Sequence, residues 1–199
     1  MKTKLFVAIF ISMSLNVFAQ EKSIGDRYNE VKHFRNTEGT KPKHIAMMIN
    51  LLNDSSNLTL NQITTLQFHI GRSYEEISIP DSAIIYYEKS LKGEPDYEVI
   101  HRALGFIYLA KTKPFVEQMN VATKNKDALA NSKAYNGYKS LVQIALPYLE
   151  KYQACSPDDE TLMIITNLYK SIKDIERLKT IDARLKLLNK RCVTLLEDE

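Results

Sequence analysis

The chain has 199 residues, 44% of them apolar and 26% charged, with Lys+Arg 27 against Asp+Glu 24. That size suits one domain or two small ones and can bury a real core, and so small a net charge at this apolar content excludes a disordered chain. Six Gly and six Pro exclude a collagenous or linker protein, and two Cys exclude a disulfide-dense miniature scaffold.

In chain order, the first segment is an address. Lys2 and Lys4 give a positive start, Leu5 to Leu15 is apolar apart from two serines, and Val17-Phe18-Ala19 sets small residues where a signal peptidase reads. Residues 1–19 are expected to be a secretory signal peptide cleaved between Ala19 and Gln20. Read instead as a membrane anchor, the stretch is short of the roughly 20 residues a span needs. No second long apolar run follows, so no membrane span is expected after cleavage, and export to the periplasm or the exterior is the expected localisation. Removing Lys2 and Lys4 leaves 25 basic (27 − 2) against 24 acidic groups. A nearly neutral exported chain is a poor nucleic-acid binder, because that function needs a basic face to neutralise phosphates.

Helical periodicity then predicts helices over 21–35, 42–53, 59–78, 80–92, 96–111, 114–124, 127–154, 157–171 and 174–192, with no strand pattern of any length. In 42–53, Ile45, Met48, Ile49 and Leu52 fall on one face. Lys92-Gly93 reads as a helix stop, and Ser156-Pro157-Asp158-Asp159 as an N-cap, first-turn proline and favourable acids.

A repeat runs through these helices. Ile70-Gly71-Arg72-Ser73-Tyr74 returns 34 residues later (105 − 71) as Leu104-Gly105-Phe106-Ile107-Tyr108. Ala83, Tyr87 and Pro95 return with the same spacing as Ala145, Leu149 and Pro157. Glycines without side chains let a partner helix approach closely, and the prolines enforce breaks. These residues resemble the tetratricopeptide repeat, in which a helix carrying L-G-x-x-Y precedes one carrying A-x-x-x-F/Y and then proline. The resemblance covers about 64–190 and implies an all-α helical repeat, or α-solenoid, of about three helix pairs.

The chain departs from the family pattern in several places. Tryptophan is absent, with Gln67 at the site where the family often has one. Gly71 to Ala83 is 12 residues but Gly105 to Ala145 is 40, so a helical insertion is expected at about 111–139. Thr166 replaces the third glycine. Ile24-Gly25-Asp26-Arg27-Tyr28 again looks like a first-helix motif. Residues 20–63 are therefore expected to be N-terminal capping helices, and 64–199 the repeat domain.

Little in the sequence argues for catalysis. His33, His44, His69 and His101 do not pair at metal-ligand spacing, and no nucleophile elbow, phosphate-cradling loop or calcium loop occurs. No catalytic residue, metal or cofactor is assigned, and the chain is not expected to be an enzyme. Cys155 and Cys192 lie 37 residues apart (192 − 155), close to one repeat. The resemblance implies that second helices of adjacent repeats run side by side, so the two sulfurs meet in a disulfide or remain two free thiols. Asn53-Asp54-Ser55 and Asn57-Leu58-Thr59 are glycosylation sequons in an expected loop.

The family's first helices line a concave groove that binds peptides or protein segments. By resemblance that groove would be lined by Phe68, Arg72, Glu75 and Glu76, then Arg102, Phe106 and Leu109, then Met163, Asn167 and Lys170. Phe68 and Arg72 occupy the opening positions of the Lys/Asn clamp used by chaperone-tail binders, so capture of a C-terminal carboxylate is not implied. Lys111, Lys113, Lys124, Lys126, Lys133 and Lys139 oppose only Glu117 and Asp127 across the insertion. That stretch reads as a solvated face or as a docking surface for an acidic partner or membrane headgroups. The leading expectation is an exported adaptor or scaffold that binds a protein or peptide through the groove, the insertion or both. The alternative is a structural subunit of an envelope or secreted assembly that self-associates and takes no peptide ligand. The oligomeric state is left open.

Overall fold

The computed structural model describes residues 22–34 and 41–196. The expected signal peptide, its Ala19–Gln20 junction and the acidic end 197–199 lie outside the described residues. The rest is all helical: α1 Ile24–Phe34, α2 Lys41–Asn53, α3 Leu60–Glu76, α4 Pro80–Gly93, α5 Glu98–Ala110, α6 Lys113–Lys124, α7 Ala128–Cys155, α8 Asp159–Ser171, α9 Ile175–Lys179 and α10 Ile181–Leu188. A single 3₁₀ turn, Ser55–Asn57, links α2 to α3.

Local chemistry sets most of the boundaries. Thr59 opens α3 with a capping box: its hydroxyl accepts from the Gln62 N–H at 3.1 Å while the Gln62 side chain accepts from the Thr59 N–H at 2.9 Å. Pro80 starts α4, where its missing N–H costs nothing. The α8 cap is Asp158 rather than Ser156, because the Asp158 carboxylate reaches the Thr161 N–H at 2.7 Å. Ser156 instead closes α7, its N–H on the Tyr152 carbonyl and its hydroxyl on Glu98 at 2.9 Å. Pro147 lies inside α7 at an exposed position, as does Gln143, whose carbonyl loses its donor, and the helix continues past it.

Helices pack in succession. The α3–α4 and α5–α7 pairs are built alike, and the glycines of the repeat explain how. A Cβ at Gly71 would lie 2.7 Å from the Tyr87 ring, and one at Gly105 would lie 2.6 Å from Leu149 Cδ2. Tyr87 and Leu149 hold equivalent places, four residues after the fully buried Ala83 and Ala145. The tyrosines repeat too: Tyr74 stacks on Tyr86 at 5.7 Å, and Tyr108 on Tyr148 at 6.0 Å. Helix α6 falls within the insertion expected at about 111–139. It lies against the first half of α7, where Gly137 admits the Phe115 ring: a Cβ there would come within 2.2 Å of it.

Three apolar clusters follow one another. The first joins Tyr28, Val31, Ile45, Met48, Leu51, Leu66 and Ile70; the second centres on Phe68, Tyr87, Tyr97, Ile100 and Leu104; the third on Val142, Leu146, Leu149, Ile165 and Tyr169. Tyr74 packs against the first and second, and Tyr108 against the second and third, so each repeat tyrosine joins neighbouring clusters. On α2, Ile45 and Met48 are buried as expected, but Leu51 is buried in place of Leu52, which with Ile49 is only partly covered. His44 joins the core through its Nε2 contact to the Val31 carbonyl at 3.0 Å.

The expected helix 174–192 is two helices and a tail. Arg184 Nη1 donates to the Arg177 carbonyl and to the Thr180 hydroxyl, both at 2.6 Å, so a side chain occupies groups at the α9–α10 break. After Leu188 the chain turns back. The Val193 N–H donates to the Asp96 carbonyl and its carbonyl accepts from the Glu98 N–H, each at 3.0 Å, forming one parallel bridge with Tyr97. Leu196 ends buried in the second cluster.

Candidate interaction face

The residues expected to line a groove divide by burial. Phe68 does not line a surface: it is 2% exposed and packs edge-on to Tyr97 at 5.0 Å, because the α3 face that holds it turns toward α4 and α5. Phe106 and Leu109 are half-buried against the third cluster. Arg72, Glu75, Glu76, Arg102, Met163, Asn167 and Lys170 are exposed. They fall on α3, α5 and α8.

Contacts within the chain fix several of these side chains. Glu76 receives Arg72 Nε at 3.2 Å and Lys41 of α2. Glu75 accepts from the buried Tyr87 hydroxyl at 2.6 Å, and burial, followed by that contact, pushes the phenol well above its ordinary pKa. Arg102 lies over the Phe106 ring at 5.4 Å and the Tyr152 ring at 5.9 Å. Its charge also helps hold the Asp158 carboxyl low, after the larger effect of the Thr161 N–H. Arginine spread over aromatic rings is the chemistry that interface hot spots favour. The contacts tie the α3 residues to α2 and α4, and Arg102 to α7 and α8.

Behind this face lies a polar core absent from the expected list. Glu150 on α7, 3% exposed, accepts from Arg184 Nε at 3.0 Å, from Arg184 Nη2 at 2.5 Å and from the Tyr169 hydroxyl, joining α7, α8 and α10. Next to it, Lys151 donates to Asp96 at 2.7 Å, to the Leu188 carbonyl at 3.2 Å and to the Arg191 carbonyl. Buried charges need such partners. Glu150 and Lys151 carried no sequence signal, because their partners sit 19 to 55 positions away.

Cys155 and Cys192 are bonded, with Cα atoms 5.6 Å apart. Parallel helix axes at 8–10 Å would hold them too far apart. Cys192 lies beyond the end of α10, in the returning tail, and is free of that spacing. The bond, the Lys151 contacts and the Asn189 amide on the Ala154 carbonyl at 2.6 Å together fasten the tail.

His101 rests its Nε2 against the Pro95 carbonyl at 2.7 Å, while its Nδ1 is buried without a hydrogen-bond partner. Burial lowers its pKa, the nearby Lys151 charge adds to this, and the Pro95 carbonyl opposes it. Among the described residues no group of three or more His, Cys, Asp or Glu could hold a metal ion. No helix among them is long and apolar enough to cross a membrane. No protein-family model, curated protein or solved structure matches the chain.

Proposed function

We propose that this chain is an exported protein-interaction module of tetratricopeptide type, binding a protein or peptide partner across the leading helices α3, α5 and α8, the basic insertion, or both. The observation that carries this reading is the repetition of one contact scheme. Glycine against a large side chain (Gly71 with Tyr87, Gly105 with Leu149) and the stacked tyrosines beside it recur in the α3–α4 and α5–α7 pairs. Repeats of this kind leave their leading helices to present a continuous surface. Here that surface carries Arg72, Glu75, Glu76, Arg102, Met163, Asn167 and Lys170, a mixture of both charges with an exposed methionine.

The test is cross-linking and mass spectrometry on the exported protein in its native compartment, with the wild type and the Arg72→Glu/Arg102→Glu variant side by side. An adaptor loses its partner by about tenfold or more on charge reversal, which is the scale of one or two hot-spot contacts. A structural subunit of an assembly keeps the same neighbours, and neighbours that are only copies of this chain would transfer the assignment to self-association.

A further inference from the structure

Three turns of the molecule share one geometry. Ser78, Lys126 and Lys173 have φ of 61°, 55° and 60°, each just after a helix. In each turn that residue's N–H reaches the carbonyl three positions back, and the next N–H reaches five positions back: Ser78 to Glu75 and Ile79 to Tyr74, Lys126 to Thr123 and Asp127 to Ala122, Lys173 to Lys170 and Asp174 to Tyr169. This is the helix ending at which glycine is the usual occupant, because an L side chain in the left-handed region is strained. Two of the three strained positions hold lysine, and both lysines line the same cavity of about 550 Å³ between the α6–α7 and α8–α9 turns. Strain retained at two sites that converge on one cavity points to use of the side chains.

The cavity is braced. Asn131 of α7 donates to the Met119 carbonyl at 3.1 Å and to the Thr123 hydroxyl at 2.9 Å, holding the end of α6. Tyr135 donates to the Ser171 carbonyl at 3.3 Å, and Tyr138 meets the Ser171 hydroxyl at 2.7 Å, holding the end of α8. Both turns are therefore set by one helix. Neither Lys126 nor Lys173 has an ion-pair partner among the described residues. The nearest acids in sequence are engaged as caps: Asp127, which also lines the cavity, accepts from the Ala130 N–H at 2.9 Å, and Asp174 accepts from the Arg177 N–H at 3.2 Å. Lys124 and Lys170 close the helices that lead into the two turns, so the surrounding charge is positive.

We propose that this cavity docks a carboxylate-bearing, acidic segment of a protein partner between Lys126 and Lys173. Carboxylates fit better than phosphate. The turn N–H groups that would cradle a phosphate are spent on carbonyls, and no arginine lines the cavity to grip one bidentately. Lysine ammoniums on flexible stems suit side-chain carboxylates of varied position. Ala122, Ala128 and the Tyr135 ring supply apolar wall, and Val121 (57% exposed) and Leu129 (83% exposed) flank the α6–α7 turn. A chain segment fills such a site better than a lone ion. The proposal rests on the interaction-module reading and locates the insertion's part in it.

The experiment titrates the exported full chain with a synthetic Glu/Asp-rich peptide by calorimetry, with melting temperature recorded for each variant. Lys126→Gly/Lys173→Gly relieves both strained backbones, so it keeps or raises the melting temperature while weakening peptide affinity by about tenfold or more. Ser78→Gly removes the same strain outside the cavity and should leave affinity unchanged. Lys126→Arg/Lys173→Arg should retain binding. No measurable peptide binding, or equal affinity in the wild type and the double glycine variant, would overturn the proposal. So would inorganic phosphate or phosphatidylglycerol vesicles binding more tightly than the peptide through these two lysines. Peptide affinity that falls with Arg72→Glu/Arg102→Glu but ignores the lysine variants removes this site and leaves the module reading standing. Loss of the native partner's dependence on Arg72 and Arg102, with lysine-dependent peptide binding intact, does the reverse.

Discussion

Gly105 has no room for a side chain. Its Cβ would sit 2.6 Å from Leu149 Cδ2, 2.8 Å from Cγ and 3.2 Å from the Leu149 backbone nitrogen, so the contact cannot be relieved by a side-chain swing alone. Gly105→Ala is expected to destabilise the chain by about 1–3 kcal/mol despite alanine's better helix propensity, measured by chemical denaturation. Gly25→Ala, where a Cβ would meet only Ser23 Oγ at 3.9 Å, should be neutral or mildly stabilising, and equal losses at the two positions would refute the packing role. His101 gives a second residue-scale test. Its neutral ring fits with the Nε2 proton on Pro95, and a proton added to Nδ1 would find no acceptor. With the folded pKa below the unfolded one, the unfolded chain binds protons first. Stability is then complete above about pH 6.5, the unperturbed histidine value, and is lost as pH falls below it. His101→Gln should flatten that loss in denaturation curves taken at pH 7.5 and 5.5. Identical slopes in both proteins would contradict the assignment. At this scale Gly71, Gly105, Ala83 and Ala145 were legible because their contacts lie within one repeat. Phe68 was not, since its ring's choice between groove and core depends on how α3 rolls against α4 and α5.

Helix limits were legible wherever the decisive hydrogen bond is local. The caps at Thr59 and Asp127 and the proline start of α4 all act within three or four residues. The last helix was misread because Arg184, whose side chain occupies groups at its break, is itself held by Glu150 34 positions away. Its return path depends on Asp96, Glu98 and Lys151, all far away in sequence. The tail is the element on which a covalent prediction bears. Cys155–Cys192 closes a 37-residue separation, so reduction, or Cys192→Ser, should cost about 2–4 kcal/mol of stability. The same change should speed hydrogen exchange at the amides of Glu98 and Val193, whose acceptors lie across the bridge. Unchanged exchange there after verified reduction would mean that Lys151 and Leu196 hold the tail without the bond.

Across the described residues, three apolar clusters are joined in series by Tyr74 and Tyr108, and α3, α5 and α8 each carry exposed charged residues. In the proposed repeat arrangement, stability would be a sum over neighbouring pairs, with the outer faces left for recognition. Surface charge is nearly balanced overall, so any partner is selected by local clusters, at Arg72 and Arg102 or around Lys126 and Lys173, rather than by a general field. The central claim is that this chain works by binding a protein through those faces. Cross-linking and mass spectrometry of the wild type against Arg72→Glu/Arg102→Glu in the native compartment tests it most directly. The account predicts reproducible cross-links from Lys170 and the insertion lysines to a second protein, reduced about tenfold or more by charge reversal. Cross-links that join only copies of this chain, or that persist unchanged both in this variant and in Lys126→Gly/Lys173→Gly, would contradict it.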